Sequence, residues 1–403
     1  MITQRQLFLN HVAQTNDAPL ALEIERAEGV YLYDKEGKSY IDLIAGISVS
    51  SLGHSHPDII AAIQKQTNQY LHTLVYGEFI LSPQVQLANL LQEHLPDNLN
   101  CTYFVNSGTE ATEGALKLAK RYTGRRKIVS CKKSYHGSTH GSLSLMSESF
   151  FTAPFRPLLP EVHHIEFNNA ADLDTIDAQT ACVIMETVRA EIGVMPPSNN
   201  YLKKVRERCD EVGALLILDE IQVGCGRTGS LFAFEQYGIV PDILLLAKAF
   251  GGGMPLGAFV ASKKMMDSFT NNPFLGHITT FGGHPVCCAA GLASLKILTE
   301  QTEIIEGVAA KAMLFKEQLK HEAILEVRNA GLLMAIQLAS YDQVLGVIHE
   351  CLKNGLVTDW FLFNAEAVRI APPLNITEDE ILTSCTILLA AIDKVYKNEL
   401  SKK

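Results

Sequence analysis

Three positions in this sequence set a chemically capable side chain directly after a short, wholly apolar run. Lys248 follows the run DILLL (residues 242–246) and precedes Ala249-Phe250-Gly251-Gly252-Gly253. Desolvation favours the neutral amine of a lysine in apolar surroundings, the form that attacks a carbonyl. The glycines would let backbone approach a flat ring or a phosphate closely. Asp219 closes the run LLIL (215–218) and opens Asp219-Glu220-Ile221-Gln222. An acid at the end of a buried strand is costly unless something positive meets it. A protonated pyridine nitrogen is one such partner; an arginine or the start of the next helix is another. Ser107-Gly108-Thr109 follow TYFV (102–105) and open a helix expected over 110–122. Free backbone N–H groups, hydroxyls and the positive end of a helix dipole make an anion site there. Each feature has a plainer reading: N-capping by Ser or Thr, an acid paired with arginine, and a lysine snorkelling to solvent.

The elements that would position these residues are legible from pattern. Short apolar runs at 102–105, 127–130, 181–185, 215–218 and 242–246 alternate with helical segments such as 201–212. That alternation predicts an α/β fold with a mainly parallel sheet covered on both faces. In such a sheet ligands collect beyond the carboxyl ends of the strands, where the three positions fall. Between residues 20 and 43 the pattern is one of short strands and turns, with Lys35-Glu36-Gly37-Lys38 reading as a hairpin turn. The apolar stretch after Pro285, CCAAGLASLKILTE, predicts a buried helix, and mixed α and β character returns from about residue 302. The expected organisation is a large domain over 59–300 and a smaller α+β domain built from 1–58 and 301–403.

With 403 residues, a formal net charge of −10 and 47% hydrophobic residues, the chain reads as a folded, acidic protein. The acidic balance argues against a nucleic-acid surface or adsorption to anionic lipid. No stretch reaches the length of a membrane span, and the N-terminus lacks a signal-like apolar region, so a cytoplasmic protein is expected. The nine cysteines have no metal-ligand spacing and read as reduced core thiols. Gly224-Cys225-Gly226-Arg227-Thr228-Gly229 fits a dinucleotide-binding pattern, but DEIQV separates it from the preceding strand, so the tight turn is missing. His54, His56, His136 and His140 lack an accompanying carboxylate motif, and no metal is expected.

A phosphate cradle, a pyridinium partner and a carbonyl-attacking amine on one sheet are what pyridoxal phosphate requires. The chain resembles the class III (subgroup II) pyridoxal-phosphate aminotransferases of fold type I over nearly its whole length. The motifs GISVSSLGHSHP, NSGTEATEGALKLAKRYTG, YHGST, LILDEIQVGCGRTG, PDILLLAKAFGGGMPLGA, TTFGGHPVCCAAGLA and VRIAPPLNIT carry the resemblance, in the family's order. It implies that Lys248 links covalently to pyridoxal phosphate, Asp219 meets the ring nitrogen and Gln222 lies near the ring hydroxyl. Ser107, Gly108 and Thr109 would hold the phosphate, and Tyr135 would stack on the ring. Thr280 would reach the phosphate of the neighbouring subunit, making a homodimer part of the site.

The resemblance thins at the substrate. Acetylornithine, ornithine and 4-aminobutyrate aminotransferases usually read His-Gly-Arg-Thr after the stacking aromatic, and their arginine grips a carboxylate as a fork. Ser138 stands there in this chain. Arg369 and Glu191 match the family's switch, in which the glutamate masks the arginine until an α-carboxylate must be held. These features imply an amino donor of the ornithine type, or another ω-amine as in ω-amine:pyruvate transaminases, with 2-oxoglutarate or another 2-oxo acid as acceptor. Arg189 and Arg156 read as surface cations. Rival readings are a non-transaminating enzyme of the same cofactor (mutase or decarboxylase) and a nucleotide-dependent dehydrogenase.

Overall fold

The computed structural model describes residues 2–401. Three antiparallel strands come first: β1 (Ile24–Glu28), β2 (Tyr31–Asp34) and β3 (Ser39–Asp42). The expected turn joins β2 to β3. Gly37 takes φ +84° there, and Asp34 Oδ1 accepts from the Glu36 and Lys38 amides.

The next seven strands form one sheet. They are β4 (Cys101–Val105), β5 (Lys127–Cys131), β6 (Val162–Ile165), β7 (Thr180–Glu186), β8 (Leu215–Asp219), β9 (Ile243–Leu246) and β10 (Gly257–Ala261). Their order is β4-β10-β9-β8-β7-β5-β6. Pairing is parallel from β9 through β6, whereas β10 runs antiparallel to both its neighbours. All five expected strands are present. The two unexpected ones have weak local signals: β6 reads VHHI, with two histidines interrupting the apolar run, and β10 reads GAFVA, with small residues at three of five places.

Alternate residues of the central strands serve different layers. Leu216, Leu218, Leu244 and Leu246 join one core with Tyr201, Leu202 and Val205 of the helix Tyr201–Val212. Ile217, Ile243 and Leu245 join the other, against Ala111, Ala115 and Leu118 of the helix Gly108–Thr123. Burial on both faces is why these runs carry no polar alternation.

The last strands are β11 (Glu326–Ala330), β12 (Leu333–Gln337), β13 (Leu356–Val357), β14 (Trp360–Phe361) and β15 (Asn364–Ile370). Four of them form a sheet in the order β11-β12-β15-β14. The remaining strand, β13, lies parallel to β3, so both ends of the chain share a sheet. The expected buried helix spans Pro285–Glu300. A Cβ on its Gly291 would lie 2.8 Å from the Phe250 carbonyl oxygen, so glycine there lets the helix seat against the turn that begins at Lys248. Among the described residues no helix is long and apolar enough to cross a membrane.

Candidate active site

The carboxyl ends of β4, β5, β7, β8 and β9 open onto one cavity of about 570 Å³, within the ~300–1,000 Å³ range of small-molecule sites. Ser107, Gly108, Thr109, Tyr135, Ser138, Asp219, Gln222 and Lys248 all line it. Ser107 caps the helix Gly108–Thr123 through the Glu110 N–H (3.3 Å). The Gly108 and Thr109 N–H groups precede the first intrahelical bond and find no acceptor among the described residues. A Cβ on Gly108 would lie 2.8 Å from Ile221 Cδ1, so a bare backbone is needed beside the cavity. These donors suit a phosphate, and the plainer reading of Ser107 as an N-cap holds alongside it.

Two acids stand side by side at the sheet edge, Glu186 of β7 paired in register with Asp219 of β8. Both are buried, and each has its own partner. Asp219 Oδ2 lies 2.6 Å from His136 Nδ1, and its Oδ1 accepts from the Ile221 N–H at 2.9 Å. Glu186 accepts from Arg189 Nε (3.1 Å) and from the Ala190 N–H (2.8 Å). Burial raises the Glu186 carboxyl above its ordinary range, with Arg189 pulling it back down. Arg189 is therefore not the surface cation expected. It is 2% exposed and also donates to the carbonyls of Lys132 and Lys133, in the loop that leads from β5 to Tyr135 and His136. The sequence pattern hid it because an arginine three residues after a strand end ordinarily reaches solvent. Arg156 is exposed, as expected.

Lys248 begins a short 3₁₀ turn with φ +51°, in the left-handed region that side chains adopt only when surroundings enforce it. Burial holds its ammonium below the ordinary lysine range, against the pull of Glu191, Asp219 and Glu186. One end of the Gln222 amide lies 3.4 Å from Lys248 Nζ. Oriented to satisfy its other neighbours, that amide donates to Glu191 Oε1 (3.1 Å) and accepts from an Arg369 terminal nitrogen (2.9 Å). Arg369 and Glu191 meet as a bidentate pair at 2.9 and 3.1 Å. Burial pushes Glu191 up, but the Arg369 charge, its hydrogen bonds and the Leu362 N–H together outweigh it and hold the carboxyl below its usual range.

Other expectations fall outside this cluster. Thr280 is exposed and does not line the cavity of its own chain. Ser138 is exposed at the cavity, its Oγ 3.1 Å from the Tyr135 hydroxyl. The glycines of 224–229 lie in turns followed by a 3₁₀ turn (Ala233–Tyr237) and by no α-helix N-terminus, and Gly226 packs against Leu374. His136, set aside as a metal ligand, is the partner of Asp219. Its place two residues beyond Ser134, after a strand end on the site's side of the sheet, was the available signal.

The chemistry of this donor set fits pyridoxal phosphate: N–H groups for the phosphate, a buried carboxylate for a ring nitrogen and a desolvated amine for the aldehyde. The family described as aminotransferase class-III matches residues 12–392. The chain is 40% identical over 359 residues to the acetylornithine aminotransferase of Methanopyrus kandleri, covering 88% of this chain and 90% of that one. It is also 40% identical over 372 residues to the putrescine aminotransferase of Pectobacterium atrosepticum, covering 87% and 77%. Its fold superposes on the ornithine aminotransferase of Toxoplasma gondii with a TM-score of 0.90, at 28% identity, over 98% of this chain and 96% of that one. That structure is described as holding pyridoxal phosphate at partial occupancy in its active site.

Replacing Arg189 by leucine strands Glu186 in the interior and frees the loop before Tyr135. Arg189→Leu is expected to lower stability by about 3 kcal/mol in urea unfolding. An unchanged midpoint would show that Glu186 needs no cation.

Proposed function

The chain belongs to the class-III aminotransferases, and from that premise we propose that it moves the terminal amine of an ornithine-type or other ω-amino substrate to 2-oxoglutarate or another 2-oxo acid. It is a pyridoxal-phosphate-dependent transaminase. The observation that carries the reading is the convergence of Lys248, Asp219 and the Ser107-Gly108-Thr109 turn on a single cavity.

When bound, the cofactor supplies a carbonyl carbon that takes up the donor nitrogen and a ring that stores the electron pair released at the substrate carbon. Lys248 Nζ, kept toward the neutral amine by burial, accepts the proton from that substrate carbon and returns it on the other side of the transfer. Asp219, fixed by His136 and the Ile221 N–H, holds a negative charge where the ring nitrogen would carry its proton. Ser107, Gly108 and Thr109 would hold the phosphate, Tyr135 would stack on the ring, and Gln222 would lie near its hydroxyl. Glu191 masks Arg369 while the amine reacts and yields it to the carboxylate of the 2-oxo acid.

A homodimer completes this reading, with Thr280 serving the neighbouring site. Phe274, Leu275, Ile278 and Phe281 around it are 47–81% exposed. A second exposed apolar segment, with Leu71, Phe79 and Ile80, adjoins it through the His72–Phe281 ring contact at 4.8 Å. An apolar surface of this kind supports burial against a second copy. All nine cysteines are free, which supports a reducing compartment such as the cytoplasm.

One feature favours a carboxylate-free ω-amine or diamine as donor over an amino acid. With Arg369 set behind the lining and masked by Glu191 while the amine reacts, Lys248 is the sole lysine or arginine among the described residues lining the cavity, and Ser138 occupies the place of the relatives' fork. The 40%-identical putrescine aminotransferase is in keeping with that second reading.

Lys248→Ala is expected to abolish amino transfer and the visible absorbance of the holoenzyme in a spectrophotometric assay; full activity would overturn the lysine assignment. Ser138→Arg is expected to raise kcat/KM for diamino acids bearing an α-carboxylate by about tenfold, the worth of one charge-assisted bond. No change would place carboxylate recognition elsewhere.

A further inference from the structure

Arg369 is gripped from two sides by different parts of the chain. Three consecutive residues take one side: Asp359 Oδ1 accepts from Nε (2.9 Å), the Trp360 carbonyl accepts from a terminal nitrogen (3.0 Å), and the guanidinium carbon lies 4.4 Å from the Phe361 ring centre. Glu191 takes the other side, end-on, with one oxygen on each terminal nitrogen. End-on is the geometry a substrate carboxylate would adopt.

The two grips differ in attachment. Trp360 and Phe361 form β14, which pairs with β15, the strand that carries Arg369. The Arg369 N–H donates to the Asp359 carbonyl (2.9 Å), and the Thr358 hydroxyl donates to the Arg369 carbonyl (2.5 Å). Asp359 and Arg369 are thus fixed to each other through backbone as well as side chains. Glu191 comes from the segment after β7: its own contacts with this sheet beyond Arg369 are with the Leu362 and Phe363 N–H groups, and its neighbours Ile192 and Gly193 accept from the Asn364 and Arg328 side chains, but it shares no strand pairing with Arg369.

We propose that Asp359 is a positioning residue for the 2-oxo acid acceptor: it holds Arg369 from behind so that an incoming carboxylate replaces Glu191 alone, without re-aiming the guanidinium. The alternative is a merely structural ion pair. The distinction is testable because Arg369 is masked in the amine half of the reaction and used only in the acceptor half. Loss of positioning therefore penalises one half, whereas loss of fold penalises both.

This inference rests on the transaminase reading, which is tested first by adding amine alone to the wild-type holoenzyme. If the cofactor aldehyde absorbance does not fall, that reading fails. Given that it falls, enzyme pre-treated with amine and freed of the excess is mixed with 2-oxoglutarate or with pyruvate, and the dependence of the aldehyde recovery rate on acid concentration measures acceptor binding in single turnovers. Asp359→Ala is expected to weaken binding of whichever acid the wild type takes, and to raise its KM, by about tenfold, since misaim of a clamp by a fraction of an ångström suffices. Asp359→Glu, which keeps the charge but displaces the guanidinium, is expected to weaken binding as well. Asp359→Asn, which keeps an acceptor oxygen for Nε, is expected to restore affinity to within about twofold. The amine half-reaction should stay within about twofold in all three. Unchanged acceptor binding in the Ala and Glu variants would overturn the proposal. So would an equal loss in both half-reactions, failure of Asn to rescue, or a transaminating wild type that binds neither acid.

Discussion

A lysine amine held half-buried at the wall of the cavity, just beyond a strand end, is the constraint around which this site is built. Lys248 is surrounded by Asp219, Glu186, Glu191 and Arg369, yet among the described residues it enters no ion pair, and its hydrogen-bond contact is the Gln222 amide. That outcome depends on each of the carboxylates around it having a partner of its own. Asp219 has His136, Glu186 has Arg189, and Glu191 shares Arg369 with Asp359. Were any of those carboxylates left free, the nearest cation to neutralise it would be Lys248, and the amine would be drawn toward its ammonium form. The pairs are thus part of the chemistry, although none of those partners need touch a cofactor.

The sheet explains why the charges can be packed so closely. Parallel strands β5, β7, β8 and β9 end at one edge, and pairing puts Glu186 beside Asp219. Side chains and loops leaving that edge point into the same space. Because both faces of the sheet are covered by helices, polar groups there meet either each other or a ligand. The antiparallel β10, inserted between β4 and β9 with Phe259 packed against the helix Gly108–Thr123, seats that helix beside the sheet edge from which the Ser107-Gly108-Thr109 turn leaves.

Much of this was legible in the sequence, and what was missed has a physical pattern. Lys248, Asp219 and Ser107-Gly108-Thr109 could be found because each follows a run apolar enough to be a buried strand. Glu191 and Arg369 were found as a pair through motif resemblance, and the structure brings their side chains together. Strands β6 and β10 escaped because histidines and small residues blunt the apolar signal, and only their neighbours make them strands. His136, Arg189 and Asp359 escaped for a related reason. His136 matters through Asp219, 83 positions away, while Arg189 and Asp359 matter through Glu186 and Arg369, 3 and 10 positions away across turns whose burial local spacing does not reveal. Long-range pairing of charge is a property of the folded chain.

Borohydride reduction of the purified holoenzyme, followed by digestion and mass spectrometry, tests the central claim most directly. One phosphopyridoxyl group per chain, carried by the ε-nitrogen of Lys248, is the expected result. Attachment to a different lysine, or a chain that takes up the cofactor yet carries no reducible link, would contradict it.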